Sequence, residues 1–138
     1  MNPYASAAYN GTQDRSSSVA LPFSYQYDVV LTANQSLRDQ IVQVFTDADF
    51  ECRAIVVSTQ TGAFQVRLKD ASGYQLSNGM VNSGLYRSNN RPFPFPMVPA
   101  LNIPAGGSIG IDIQDVSGAS NTIQICFIGV NYYKVARQ

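Results

Sequence analysis

Histidine and tryptophan are both absent from this chain of 138 residues. Without histidine, the sequence lacks the commonest general base, the commonest metal ligand and the usual activator of serine and cysteine nucleophiles. Without tryptophan, it lacks a side chain that often supplies an aromatic platform for sugars. These absences argue against most hydrolytic and metal-dependent enzymes. The sequence therefore predicts a protein that is not an enzyme and uses no cofactor.

Charged residues are also scarce, at 13% of the chain against about 25% in an average soluble domain. Nine basic and nine acidic residues give a formal net charge of zero, which argues against binding to nucleic acid or to an anionic membrane. Lysine, a common guard of exposed sheet edges, occurs only at Lys69 and Lys134. This composition favours a β protein that works in an assembly, with a soluble monomer as the alternative.

Two cysteines, Cys52 and Cys126, are too few for a disulfide framework in a chain of this length. Both lie in apolar strand patterns, so two buried, reduced thiols are predicted, with a Cys52–Cys126 disulfide as the alternative. The first residues show neither a basic start nor an apolar run, and no stretch approaches the roughly 20 apolar residues of a membrane span. The expected location is therefore the cytosolic side of the cell that makes the protein.

Alternation of apolar and polar residues is the main pattern that is present. It predicts strands with one buried face at residues 25–31, 64–69 and 108–114, and further strands at 41–45 and 122–133. In residues 50–58 both faces are apolar, which predicts a central strand. One or two short strands are expected near residues 74–76 and 80–86.

This pattern predicts an all-β fold. Seven or eight strands, no convincing helix and regularly spaced turn signals indicate a single-domain β-sandwich, a jelly roll of antiparallel strands over residues 23–134. Residues 1–22 show no hydrophobic period and are predicted to form a flexible N-terminal arm. Residues 135–138 are expected to be a short C-terminal tail.

Five prolines interrupt the strand pattern in the segment RPFPFPMVPALNIPAGG, residues 91–107. Proline lacks the backbone donor, so this segment cannot be a helix or a central strand, and an extended, largely unpaired crossover is predicted. Its apolar residues are too many for a loop that is only solvated. Phe93, Phe95 and Met97 are expected to cap an open end of the sandwich, with the remaining apolar surface available to a neighbouring molecule.

Asp47, Asp49 and Glu51 form the main carboxylate cluster. Such a cluster can bind Ca²⁺ or act as an acid and base pair, but its spacing matches no EF-hand loop. Aspartate is common at chain corners because its carboxylate accepts hydrogen bonds from nearby backbone amides, and a structural corner is the favoured interpretation. Asp112 and Asp115 flank another turn and receive the same interpretation.

From about residue 47 to 133, the layout resembles small jelly-roll cement or decoration proteins of tailed bacteriophages. The resemblance covers DADFECRAIVVSTQTGAFQVRLKD, a stretch rich in asparagine and glycine, RPFPFPMVPALNIPAGGSIGIDIQD and NTIQICFIGVNYYK. It implies a non-enzymatic virion component on the outside of a phage head that holds major capsid subunits together. It also implies a homodimer or homotrimer, assembled in the host cytoplasm.

The resemblance transfers no contact residue by itself, so the candidate contacts come from exposed aromatic and apolar positions and one basic residue. They are Tyr4, Tyr9, Arg15, Phe93, Phe95 and Met97. An alternative function is a carbohydrate-binding or adhesion module of a phage tail or vertex. That alternative requires a cleft of exposed tyrosines, drawn from Tyr74, Tyr86, Tyr132 and Tyr133.

Overall fold

The computed structural model describes residues 18–86 and 94–134, which form an all-β structure. No helix in these two ranges is long and apolar enough to cross a membrane. One short 3₁₀ turn, Ser83–Leu85, accompanies the strands. The strands are β1 (Ser18–Leu31), β2 (Ser36–Gln43), β3 (Ala48–Thr59), β4 (Phe64–Lys69), β5 (Val81–Asn82), β6 (Phe95–Ile103), β7 (Ser108–Asp115) and β8 (Asn121–Lys134).

The strands form two four-stranded antiparallel sheets. Sheet A has the order β1-β8-β3-β6, and sheet B has the order β2-β7-β4-β5. The first strand pairs with the last, the second with the seventh, the third with the sixth and the fourth with the fifth. This nested pairing is that of one long hairpin rolled into two layers, the jelly roll that the sequence predicts.

The core lies between the sheets and is built by strict alternation along the central strands. In β8, residues at odd positions from Ile123 to Phe127 are buried while the residues between them are more exposed. In β7, Ile109, Ile111 and Ile113 are fully buried against the opposite layer. The largest fully buried side chains are Phe50, Phe64, Phe127, Leu31, Ile55, Ile103, Ile109, Ile111, Ile113, Ile123, Ile125 and Val44.

β1 begins at Ser18, earlier than the arm boundary predicted at residue 22. Residues 18–22 pair with residues 130–134 of β8 in an unbroken register. The sequence argues against this extension through Pro22, which has no backbone donor and is unfavourable inside a strand. β8 supplies a backbone ladder at this position, and pairing with it overrides the weak local pattern. Residues 1–17 and 135–138 lie outside the described residues.

Residues 95–103 of the proline-rich segment form the strand β6, contrary to the prediction of an unpaired crossover. β6 pairs with β3 at both of its ends, Phe50 with Ile103 and Ile55 with Phe95. Proline is tolerated there because β6 is the edge of sheet A, where half of the backbone donors need no partner. Between the paired ends, residues 97–100 leave the ladder and form an excursion that contains the cis Val98–Pro99 bond.

The segment between β4 and β6 contains less strand than the sequence predicts. Residues 74–76 contribute a single bridge between Lys69 and Gln75. Within residues 80–86, only Val81–Asn82 is a strand, and the chain then enters the 3₁₀ turn. Asn82 ends the strand by accepting a hydrogen bond from the Gly84 amide through its side chain, which favours a turn over continued pairing.

A β-bulge at Arg53 disrupts β3, the predicted central strand that lies between β8 and β6. Cys52 pairs with Gly129 and Ala54 with Ile128, so Arg53 has no partner in β8. The bulge brings the β3 backbone against Gly129 so closely that a Cβ at this position would overlap the Glu51 carbonyl group. Glycine is therefore required at 129 by space.

We expect Gly129→Ala to lower the free energy of unfolding by roughly 1–3 kcal/mol, since the added methyl forces the bulge to shift. Gly79→Ala is the matched control, because a Cβ at Gly79 meets no atom within 4 Å. Urea denaturation of both variants measures the difference. Equal stability of the two variants would show that the bulge adapts without cost.

Candidate functional site

The cysteines are free thiols in two different environments. Cys52 is fully buried, as predicted, and burial raises the pKa of its thiol to about 12. Its Sγ lies 3.6 Å from Sδ of Met97 and 3.5 Å from the Ala54 carbonyl oxygen. Cys126 is only half-buried and lies on the outer side of β8, so the prediction of a second buried thiol is wrong. A buried thiol with a raised pKa is a poor nucleophile.

The predicted carboxylate cluster is dispersed along β3 and the preceding corner. Asp49 accepts a hydrogen bond of 2.9 Å from the Ala105 amide and so joins this corner to the β6–β7 turn. Glu51 forms a 2.6 Å ion pair with Arg53. Asp47 is exposed. Within residues 18–86 and 94–134, no group of three potential metal ligands is assembled.

Asp112 is buried, although the alternation of β7 places it on the outer face of sheet B. Its exposure is 1% because the long side chains of Arg67 and Lys69 in β4 cover it. Arg67 Nη2 lies 2.9 Å from its Oδ2, and Lys69 Nζ lies 3.2 Å from its Oδ1. The Asp39 amide donates a hydrogen bond of 2.8 Å to Asp112 Oδ1. Asp39 lies at a bulge in β2 and has a φ of 55°.

These donors hold Asp112 in its ionised form. Burial opposes ionisation, but the Asp39 amide, the Arg67 guanidinium and the Lys69 ammonium together lower the pKa of Asp112 to about 2. Lys69 also contacts Asp39 at 2.8 Å, so two cations and two carboxylates form one row across β4, β7 and β2. The row is internally paired and stabilises sheet B.

Asp115 is fully buried at the end of β7 and joins two chain connections. Its Oδ2 accepts from the Asn34 amide of the β1–β2 turn at 2.9 Å and from the Gly118 amide at 3.2 Å. Its Oδ1 accepts from the Ser117 amide and hydroxyl and from Asn121 Nδ2. Burial again opposes ionisation, but the Ser117, Asn34 and Asn121 donors lower the pKa of Asp115 to about 2.

Asn121 extends this network to a third connection. Its side-chain oxygen accepts from the Thr59 hydroxyl at 2.7 Å and from the Thr61 amide at 3.0 Å, while its Nδ2 donates to the Gly62 carbonyl oxygen at 3.0 Å. The β1–β2, β3–β4 and β7–β8 connections are therefore held at one end of the sandwich. The prediction that Asp115 has a structural role at a turn understates how many segments it joins.

The structure places two of the candidate contact residues, both in β6, where they line the same surface pocket. Phe95 is half-buried and packs edge-on against Tyr86, with ring centroids 5.2 Å apart. Met97 is half-buried over the core beside Cys52. Val98, which the sequence interpretation did not single out, is 88% exposed at the tip of the excursion. The other four candidates, Tyr4, Tyr9, Arg15 and Phe93, lie outside the described residues.

A second surface that sequence reasoning missed is the outer face of sheet A. Val130 lies beside Pro22, Ile128 lies beside Ala54, and Ala54 lies beside Pro96, so apolar residues occur on this face in all four strands, with the Glu51–Arg53 ion pair beside Val130 at their border. These apolar residues are half-buried or exposed. We call them the apolar face; it consists of Pro22, Ala54, Val56, Pro96, Ile128 and Val130.

The sequence does contain the signal for this surface. Alternation along β3 predicts Cys52, Ala54 and Val56 on one apolar side and Ile55 and Val57 on the other. The bulge at Arg53 corrects this assignment, since Cys52 lies in the core with Ile55 and Val57, while Ala54 and Val56 lie on the outer face. β3 is central, but a two-layer sandwich buries only one face of each sheet. The second apolar side therefore remains at the surface, and Val56 is 36% exposed.

Comparison with known proteins identifies no relative. No protein-family model matches the sequence, and no curated protein matches it.

We expect Asp112→Asn to lower the free energy of unfolding at neutral pH by about 1–3 kcal/mol, because the amide cannot replace a carboxylate between two cations. The pKa of Asp112 in the folded protein lies below the ordinary aspartate value of 3.8, so this contribution is present above about pH 4 and is lost as the pH falls toward 2. Urea denaturation at a series of pH values from 7 to 2 should show the difference in free energy of unfolding between the variant and the native protein decreasing. Asp47→Asn, at an exposed position, is the control, and a gap that does not change with pH would contradict the assignment.

Proposed function

We propose that this protein is a non-enzymatic structural component of a virion, a cement or decoration protein on the outside of a phage head. The observation that carries the proposal is the apolar face, a sheet surface where a soluble sandwich normally has polar residues. In this role the protein stabilises contacts between major capsid subunits. Its partners are the major capsid protein and further copies of itself, and it acts on the capsid exterior after assembly in the host cytoplasm.

The composition of the apolar face supports attachment to a broad protein surface. Ala54, Ile128 and Pro96 are in register across three neighbouring strands, with no charged side chain among them. Interface centres are depleted in charged residues, and an exposed apolar patch of this kind marks an interaction site. Attachment through such a patch requires area and shape complementarity, and a reinforcing protein has no need of a cleft.

The exposed tip of β6 enlarges this surface. The excursion at residues 97–100 follows Pro96 at the edge of sheet A, and Val98 is 88% exposed there. Its base is fixed, since Met97 packs on the core and contacts Cys52. An exposed apolar side chain whose neighbour is held by the core can contact a capsid subunit at little cost in conformational entropy.

Many identical copies on one shell allow each contact to be weak. Once neighbouring molecules touch each other as well as the shell, their effective concentration is high and overall binding strengthens without new contacts. The formal net charge of zero suits this arrangement because adjacent copies repel each other little.

The charged groups support a role without catalysis. Asp112 and Asp115 are the strongly perturbed carboxylates among the described residues, and perturbed carboxylates in clefts are candidates for catalysis. Both are buried with their oxygens saturated by donors from the protein itself. Such carboxylates fix backbone geometry and have no free lone pair directed at a substrate.

The carbohydrate-binding alternative has weaker support. Tyr74 is 73% exposed in the β4–β5 connection, whereas Tyr86 packs against Phe95 near β6. Tyr132 accepts a hydrogen bond from Arg53, and Tyr133 from Asn131, at the far end of β8. These tyrosines belong to separate elements, and each of the last three is engaged by its own neighbours.

The proposal is tested first by counting this protein in purified virions of its source against the major capsid protein, using quantitative mass spectrometry. Hundreds of copies per particle would support a place on the shell. A handful would favour the tail or vertex alternative, and none would reject a virion role.

We further expect Val56→Asp to lower occupancy on purified capsids roughly tenfold or more, because an unpaired carboxylate is costly to bury at an interface. Ile41→Asp is the matched control, since Ile41 is 61% exposed on the outer face of sheet B. Thermal denaturation of both variants checks that each remains folded at the temperature of the binding assay. Equal occupancy of the two variants would exclude the apolar face as the attachment surface.

A further inference from the structure

The two sheets have four edge strands, and three of them are protected against pairing with another chain. β5 is only two residues long. β2 is distorted by a bulge between Leu37 and Gln40, where Asp39 has a positive φ. β6 contains Pro96 and Pro99 and leaves its ladder at the excursion. Short strands, bulges and prolines are the devices by which natural sheets prevent edge-to-edge association.

The fourth edge, β1, has few of these devices. It is 14 residues long, and its register with β8 is continuous from Ser18 to Leu31. Among the described residues it pairs with β8 on one side only. After Pro22, the segment FSYQYDVVL at residues 23–31 contains no proline, no glycine and no lysine, and its one charged residue is Asp28. We call residues 23–31 the open edge.

We propose that the open edge pairs antiparallel with the open edge of a second copy of this chain, joining two A sheets into one continuous eight-stranded sheet. The composition of residues 23–31 favours this pairing, since aromatic and β-branched residues predominate and strands of this kind pair readily when exposed. Pairing satisfies the unpaired backbone groups of both edges at once. A two-fold contact pairs the open edge of one copy with that of the other and leaves neither available, so association stops at the dimer.

The open edge is complementary to itself in charge. The antiparallel register that pairs every residue from 23 to 31 is centred on Tyr27 and places Asp28 opposite Gln26 of the second copy. Both side chains are exposed on the outer face of sheet A. Asp28 Oδ1 already accepts from Gln124 Nε2 at 2.7 Å, and Gln26 of the second copy can donate to the other carboxylate oxygen. The two Asp28 carboxylates are not opposite each other in this register.

The test measures the oligomeric state of the full chain by sedimentation velocity over a range of concentrations. Gln26→Asp places two carboxylates opposite each other twice in the dimer, and we expect dissociation to become about tenfold easier. Gln26→Lys places a cation opposite Asp28 and should leave the dimer at least as tight. Gln43→Asp is the matched control, because Gln43 is exposed on β2, a protected edge.

Hydrogen exchange provides a second readout that does not depend on the variants. Amides in residues 23–31 that face away from β8 should become protected as concentration rises, while those of β2 should not change. A monomer at all concentrations, a trimer, or equal effects of Gln26→Asp and Gln43→Asp would overturn the proposal. All measurements use the isolated protein, so the result stands or falls separately from capsid attachment.

Discussion

The fold depends on one buried carboxylate, that of Asp115, because its hydrogen bonds connect the two layers of the rolled hairpin. A jelly roll needs the connections between its layers to stay together, although they are far apart in sequence. Asp115 binds the β1–β2 and β7–β8 connections directly and reaches the β3–β4 connection through Asn121. These contacts satisfy the Asp115 carboxylate and the Asn121 side chain, both fully buried, and burial of such groups without partners is costly. The two layers are thereby held at a fixed spacing at this end.

A different polar group stabilises the opposite end of the core. The Tyr25 hydroxyl exchanges hydrogen bonds with the buried Asn131 side chain and accepts one from the Phe45 amide at 3.1 Å, so β1, β8 and the end of β2 meet there. Around it, Tyr25 packs edge-on against Phe45 and Phe50. The core is thus apolar along its length and has a hydrogen-bonded group near each end. This distribution favours one register of the strands over its neighbours, since a slip by one residue would bury unpaired donors.

Strand identity could be predicted from this sequence because alternation is a local property, and β4, β7 and β8 follow it closely. Strand partners are set by contacts between distant residues, which is why the pairing of β6 with β3 was missed. The prolines correctly excluded a central strand, and the remaining possibility, an edge strand, was overlooked. Asp112 was placed on the solvent side by its position, but alternation does not reveal that Arg67 and Lys69 cover it. The apolar face had a sequence signal in Val56 that was interpreted as burial, because alternation alone cannot tell a third layer of the same protein from a partner.

The two outer faces of the sandwich differ in kind. Sheet B carries the paired row of Arg67, Asp112, Lys69 and Asp39, whereas the centre of sheet A carries aliphatic residues and proline. The two outer faces of the molecule therefore differ in polarity. Any surface that it covers with sheet A facing inward acquires a coat whose solvent side is hydrated and locally neutral. If the protein attaches as we propose, the outward side of the coat is the charged and paired face of sheet B, so neighbouring coated particles would have little tendency to associate through the apolar face.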